Sequence, residues 1–156
     1  MKKIYLILVI VFLVWTSIGF SGTGNERRKS FSDSLADERE KFLRQILDSL
    51  KGKENRSADS VFKNIRTFKG AGSIPVKHLL AVMDYWGEAL SVNCTYCHNP
   101  QNWASDELKD KRIARDMYHM RDVINKELLP QMKDLSTSTS RVNCTTCHHG
   151  SPIPDH

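Results

Sequence analysis

All four cysteines of this chain fall in two copies of one pattern, Cys94-Thr95-Tyr96-Cys97-His98 and Cys144-Thr145-Thr146-Cys147-His148. Cys-x-x-Cys-His is the pattern of c-type haem attachment. The reason is geometric. Two cysteines three positions apart can add to the two vinyl groups of one haem as thioethers, and the next residue then lies under the iron as its proximal ligand. The two copies therefore predict two covalently bound haem c groups, attached through Cys94 and Cys97 and through Cys144 and Cys147, with His98 and His148 as proximal ligands. A four-cysteine zinc site and a pair of disulfides are the competing readings. Zinc does not require a histidine directly after each pair. A Cys-x-x-Cys disulfide closes too small a loop to hold a fold and is more often a reactive redox site.

Haem iron also needs a sixth ligand or an open position, and that choice separates an electron carrier from a catalyst. Besides Met1 the chain has Met83, Met117, Met120 and Met132. Met83 lies eleven residues before Cys94 on an apolar helical stripe, where a tight turn would fold the first haem back against it, with Gly87 leaving room for the porphyrin. Met117 and Met120 share the apolar face of a later helix, and either can serve the second haem. Methionine is a common gap-filler in cores, so packing is the competing role for each. His78 and His119 sit off the stripes as surface residues, His149 follows a proximal position, and His156 ends the chain.

The elements that must position these groups read as helices. No alternating strand pattern of useful length appears, so the fold class is mainly α, with two helix-plus-haem-attachment modules. A helix is predicted over 34–52, with Ser34 and Asp37 resembling a capping box, Leu35, Phe42, Ile46 and Leu50 at helical spacing, and Glu40 set to meet Arg44. Residues 61–68 read as a short helix or extended segment before the Gly70-Ala71-Gly72 breaker. A second helix should begin at Pro75, bury Val76, Leu79, Leu80, Met83, Trp86 and Leu90, and stop near Ser91. A third should start around Ser105 or Asp106 and bury Ile113, Met117, Met120, Ile124 and Leu128 until Pro130 limits it. Its basic residues Lys109, Lys111, Arg112 and Arg115 read first as a solvated face, with steering of an acidic redox partner as the second reading.

Lys2 and Lys3 precede an uncharged apolar run over 4–20, so residues 1–21 read as a signal peptide or an N-terminal membrane anchor. Gly19-Phe20-Ser21 offers a cleavage site, and membrane association through 4–20 is the alternative. The lysines place the remainder outside the cytoplasm, in the periplasm or anchored to the inner membrane facing it. Residues 22–33 read as a flexible linker, and 53–156 as the dihaem domain. The formal charge is +5, and losing Lys2 and Lys3 with a cleaved segment reduces it to +3, too weak to argue nucleic-acid binding.

Residues 61–154 resemble the multihaem cytochrome c subunit of the purple-bacterial photosynthetic reaction centre and its shorter exported relatives. The resemblance runs through Val61-Phe62-Lys63-Asn64-Ile65, the Met83 helix leading to Val92-Asn93-Cys94, and Ala104-Ser105-Asp106-Glu107. It continues through Ala114-Arg115-Asp116-Met117, Met120 and Ile124-Asn125, and ends in Cys144-Thr145-Thr146-Cys147-His148-His149-Gly150. It implies two low-spin haems, with Met83 the distal ligand of the first and Met117, rather than Met120, that of the second. The family subunit looks like two such halves in tandem with four haems, and this chain has one half. Gln131 or its neighbours stand where the family supplies a histidine to the other half, and the helix from Ser34 is unmatched. The resemblance implies an electron carrier rather than an enzyme, passing single electrons between redox proteins in photosynthesis or respiration. A small dihaem peroxidase, with one iron open to peroxide, is the enzymatic alternative.

Overall fold

The computed structural model describes residues 23–70, 73–135 and 140–154. Residues 1–21, read as a signal peptide or anchor, and Ala71, Gly72 and His156 lie outside the described residues. Among the described residues no helix is long and apolar enough to cross a membrane. The chain divides between Ser34 and Leu35 into two units, and the second holds every candidate ligand.

Among the described residues the structure is helical, and its only β features are isolated bridges pairing Ser57 with Pro75 and Asn99 with Asn102. Helix α1 spans Thr23–Ser49. The flexible linker read over 22–33 is thus corrected from Thr23 onward: beyond Gly24 the segment Asn25-Glu26-Arg27-Arg28-Lys29 holds no proline or further glycine, and Glu, Arg and Lys lose little side-chain freedom in a helix. Glu40 meets Arg44 at 3.1 Å one turn on, as its spacing predicts. The helix ends short of Gly52, whose φ of +81° then turns the chain.

Helix α2 is the single turn Ala58–Val61. Helix α3 spans Val76–Leu90. Its orphan N-terminal amides are satisfied by the preceding loop: Val76 N–H donates to the Arg56 carbonyl at 2.9 Å and Lys77 N–H to that of Glu54 at 3.0 Å. Ser91 closes it in the left-handed region at φ 50°. The predicted stripe points inward. Val76, Leu79 and Leu80 are buried with Ala58, and Leu43, Ile46 and Leu47 of α1 and Leu50 just after it pack against them together with Met83.

Helix α4 spans Lys109–Val123, starting later than the Ser105 or Asp106 expected. Residues 103–107 instead fold back over its first turns. Lys111 Nζ donates to the Trp103 carbonyl at 2.9 Å and to the Ser105 carbonyl at 2.7 Å, while Arg115 pairs with Asp106 at 2.9 Å. The solvated-face reading therefore fails for these two residues: Lys111 is only 8% exposed. Lys109 and Arg112 do face solvent. The ladder then widens into a π-helical turn, Ile124–Leu128, and tightens into a 3-10 turn, Leu129–Gln131. Pro130 has no N–H to continue an α-helix, which accounts for the break. Gln131 donates its side-chain amide to the Glu127 carbonyl. Helix α5 is Cys144–His148.

Candidate functional site

The first set of predicted ligands comes together. Met83 on α3, Cys94 and Cys97 on the following turn, and His98 after it line one cavity of about 670 Å³. Its other walls come from Leu43 and Ile46 of α1, from Leu50 just after it, from Phe62 and Phe68, and from Trp86. That volume suits a cofactor-sized ligand held mainly by apolar contacts. Ser91 in the left-handed region is the tight turn that folds Cys94 back beside the Met83 helix.

His98 is oriented from behind. Its Nδ1 lies 3.3 Å from the Trp103 carbonyl, which also accepts from Lys111 Nζ. A carbonyl can only accept, so Nδ1 carries the proton and the Nε2 lone pair is left free for a metal or a hydrogen-bond donor. Burial lowers the His98 pKa, which keeps the ring neutral as a metal ligand must be. Trp103 is itself held edge-on by Phe42 of α1, with ring centroids 5.6 Å apart.

The thiols of the first pair are partly buried. Burial pushes Cys94 up, and burial followed by the Asp110 charge pushes Cys97 up to about 11. All four cysteines are free, and among the described residues no three His, Cys, Asp or Glu side chains converge, so the two pairs do not form one four-cysteine cage.

The second set is arranged differently. His148 Nδ1 lies 2.9 Å from the Ser151 carbonyl, the same carbonyl-fixed tautomer as His98. Helix α5 packs on the end of α3, where Gly150 N–H donates to the Ala89 carbonyl at 3.0 Å. The π turn holds its other side, because the Asn125 amide donates to the Val142 carbonyl at 2.8 Å and accepts from Val142 N–H at 2.9 Å. Met117 and Met120, expected on a buried face, are 42% and 49% exposed, as is Ile113 at 44%. α4 turns its aromatic side inward instead, with Tyr118 against Phe68 and Trp86. His78 and His119 are exposed, as read from their positions, and so is His149.

The two heptapeptides fold into different turns for a local reason. Asn143 caps α5 through a full capping box, in which its side chain accepts from Thr146 N–H and the Thr146 hydroxyl accepts from Asn143 N–H. The equivalent of Thr146 in the first copy is Tyr96, whose phenol cannot reach back in that way. Asn93 accepts from Thr95 N–H instead, and the turn Cys94–Tyr96 is 3-10.

Several residues at the first site were missed from sequence. Arg39 of α1 is buried in the cavity wall, pairing with Asp84 at 2.9 Å and donating to the Val92 carbonyl at 3.4 Å. Its neighbour Glu38 accepts from the side chain of Asn93. Arg39 also occupies the space over Gly87: a Cβ there would come within 2.7 Å of Arg39 Cδ and 3.0 Å of the Val92 carbonyl oxygen. The room read at Gly87 is therefore filled by this side chain. The available signal was an arginine on the apolar stripe, four residues after Leu35.

Residues 13–156 match the family described as the photosynthetic reaction centre cytochrome C subunit. The span takes in α1, so the helix that had no counterpart in the sequence resemblance lies within the matched region. The photosynthetic reaction center cytochrome c subunit of Thermochromatium tepidum is 26% identical over 144 residues, covering 88% of this chain and 32% of its own length. That of Rubrivivax gelatinosus is 23% identical over 139 residues, covering 87% of this chain and 35% of its own length. Cytochrome c-554 of Chloroflexus aurantiacus is 37% identical over 71 residues, 46% of this chain and 17% of its own length. The chain thus spans about a third of the two reaction-centre subunits.

Proposed function

The chain belongs to the photosynthetic reaction centre cytochrome C subunit family, and from that premise we propose that it is an exported dihaem c-type cytochrome that carries single electrons between redox proteins. The convergence of Met83, Cys94, Cys97 and His98 on one largely apolar cavity carries the reading. Cys94 and Cys97 would hold the first haem as thioethers, with His98 proximal and Met83 distal. Cys144, Cys147 and His148 would hold the second, with Met117 distal and Met120 its alternative. A haem iron bound by histidine and methionine supplies a reversible one-electron couple whose potential the methionine raises.

The chain's own residues do the rest. The Trp103 and Ser151 carbonyls fix the His98 and His148 tautomers, and mainly apolar side chains line the first site. Redox partners are proteins, in a photosynthetic or a respiratory chain. The working compartment is the periplasm, reached by a cleaved signal or with residues 4–20 kept as an anchor.

Intact mass and a reduced-minus-oxidised spectrum of the purified protein test this. The expected result is the polypeptide plus two haems with low-spin bands from both. A colourless protein weighing no more than its amino acids refutes it, and a high-spin ferric centre that binds cyanide rapidly replaces it with the peroxidase.

A further inference from the structure

The two residues ahead of each Cys-x-x-Cys-His motif are Val-Asn, and the fold anchors them by different means. At the second motif Asn125 binds both backbone groups of Val142. At the first, α1 does the work: Arg39 donates to the Val92 carbonyl and Glu38 accepts from Asn93. Arg39 is unlike an ordinary anchor because it brings a charge. Its side chain is 11% exposed, crosses Gly87, and pairs with Asp84, the residue after Met83, whose own side chain is 41% exposed. Both members line the cavity into which Met83, Cys94 and His98 project.

We propose that Arg39 and Asp84 form a charge pair that positions the first haem-attachment turn and sets the redox potential of the haem held there. The proposal rests on the reading that Cys94 and Cys97 carry haem. A ferric iron has one more positive charge than a ferrous one, so a nearby cation favours the reduced form and a nearby anion the oxidised form. Arg39 is a positioning residue, acting through the Val92 carbonyl and through its field.

The test uses the full-length holoprotein and the variants Arg39→Gln, Asp84→Asn and the double variant. Intact mass is measured first, followed by spectroelectrochemical titration at neutral pH and low salt. Arg39→Gln should shift one haem's equilibrium about three- to tenfold toward ferric, a fall of about 30 to 60 mV at 59 mV per decade. Asp84→Asn should raise the same midpoint, the double variant should fall between the two, and the other haem should stay in place. A purely structural role predicts shifts of one sign in both single variants, or none, and either overturns the proposal. Should Arg39→Gln fail to mature, Asp84→Asn decides alone: a rise supports the pair and no rise overturns it. A native protein whose mass shows no haem on Cys94 and Cys97 sinks the functional reading itself, whereas haem present with unresponsive midpoints sinks only the charge pair.

Discussion

Replacing Lys111 by methionine should unfasten the loop that backs His98. Lys111 Nζ donates to the carbonyls of Trp103 at 2.9 Å and Ser105 at 2.7 Å, and stands 3.5 Å from Asp106. Hydrogen bonds from a charged donor contribute about 1.5–3 kcal/mol each. Burial lowers the Lys111 pKa, so desolvating the ammonium offsets part of that gain. Methionine keeps the apolar stem, and Asp106 retains Arg115, which limits the loss further. The expected cost is about 2–4 kcal/mol. At about 4 °C per kcal/mol for a chain of this size, the holoprotein should melt about 8 °C lower or more. Lys109→Met, on the exposed side of the same turn, is the control and should cost less than about 0.5 kcal/mol. Thermal and denaturant unfolding followed by circular dichroism give both numbers. Equal, small effects at the two positions would refute the stapled loop and return Lys111 to a solvated helix face.

Gly87→Ala should destabilise by about 1–2 kcal/mol, although alanine is the better helix former by about 1 kcal/mol, because the new methyl meets Arg39 and the Val92 carbonyl; a raised unfolding midpoint would contradict this. Asn125→Ala removes both bonds to Val142, at about 1–3 kcal/mol, and proteolysis of residues 140–143 should quicken; an unchanged cleavage rate would show that the π turn does not hold the second motif. Asp106 is held at a pKa of about 2 by the Asn64 amide and then by Arg115 and Lys111. Its carboxylate is favoured in the folded state, so its contribution is complete above about pH 4 and lost as the pH falls toward 2, about 1 kcal/mol after solvent screening. Asp106→Asn should flatten the pH dependence of stability in that window, and an unaltered slope would count against the cluster.

What was legible in the sequence had a period or a fixed spacing. The α3 stripe, its end near Ser91 and the grouping of Met83 with Cys94, Cys97 and His98 all follow from positions along one helix and one turn. The losses came where a polar side chain is buried by tertiary contacts that no local pattern announces. Arg39 interrupts an apolar stripe because Asp84, 45 residues away, meets it. Lys111 and Arg115 look solvated until the loop at 103–107 is laid over them. The period on α4 was read correctly as helix, but its aromatic side, Tyr118, rather than its methionine side, faces the neighbouring elements. Periodicity assigns a stripe; which stripe meets the rest of the chain depends on the partners.

The distribution of apolar residues argues for the same reading independently of the motifs. Among the described residues only Ala58, Val76, Leu79, Leu80 and Ala89 form the fully buried apolar core, and two of those are alanines. Burying a large aliphatic side chain contributes about 1.5–3 kcal/mol, whereas ordering each backbone residue costs about 1–2 kcal/mol. A core of that size cannot fix a domain of this length unaided. Of the other large apolar groups, Leu43, Ile46, Phe62, Phe68 and Trp86 face the first cavity, and Ile113, Met117 and Met120 are exposed along one side of α4. The groups around the first cavity would gain a core from a porphyrin attached at Cys94 and Cys97. On the proposed dihaem reading the fold would then depend on its prosthetic groups as small metal domains depend on their ions. A Cys94→Ala, Cys144→Ala protein that kept native helicity and a cooperative melt would show that the polypeptide alone suffices, and would remove this support for the dihaem reading.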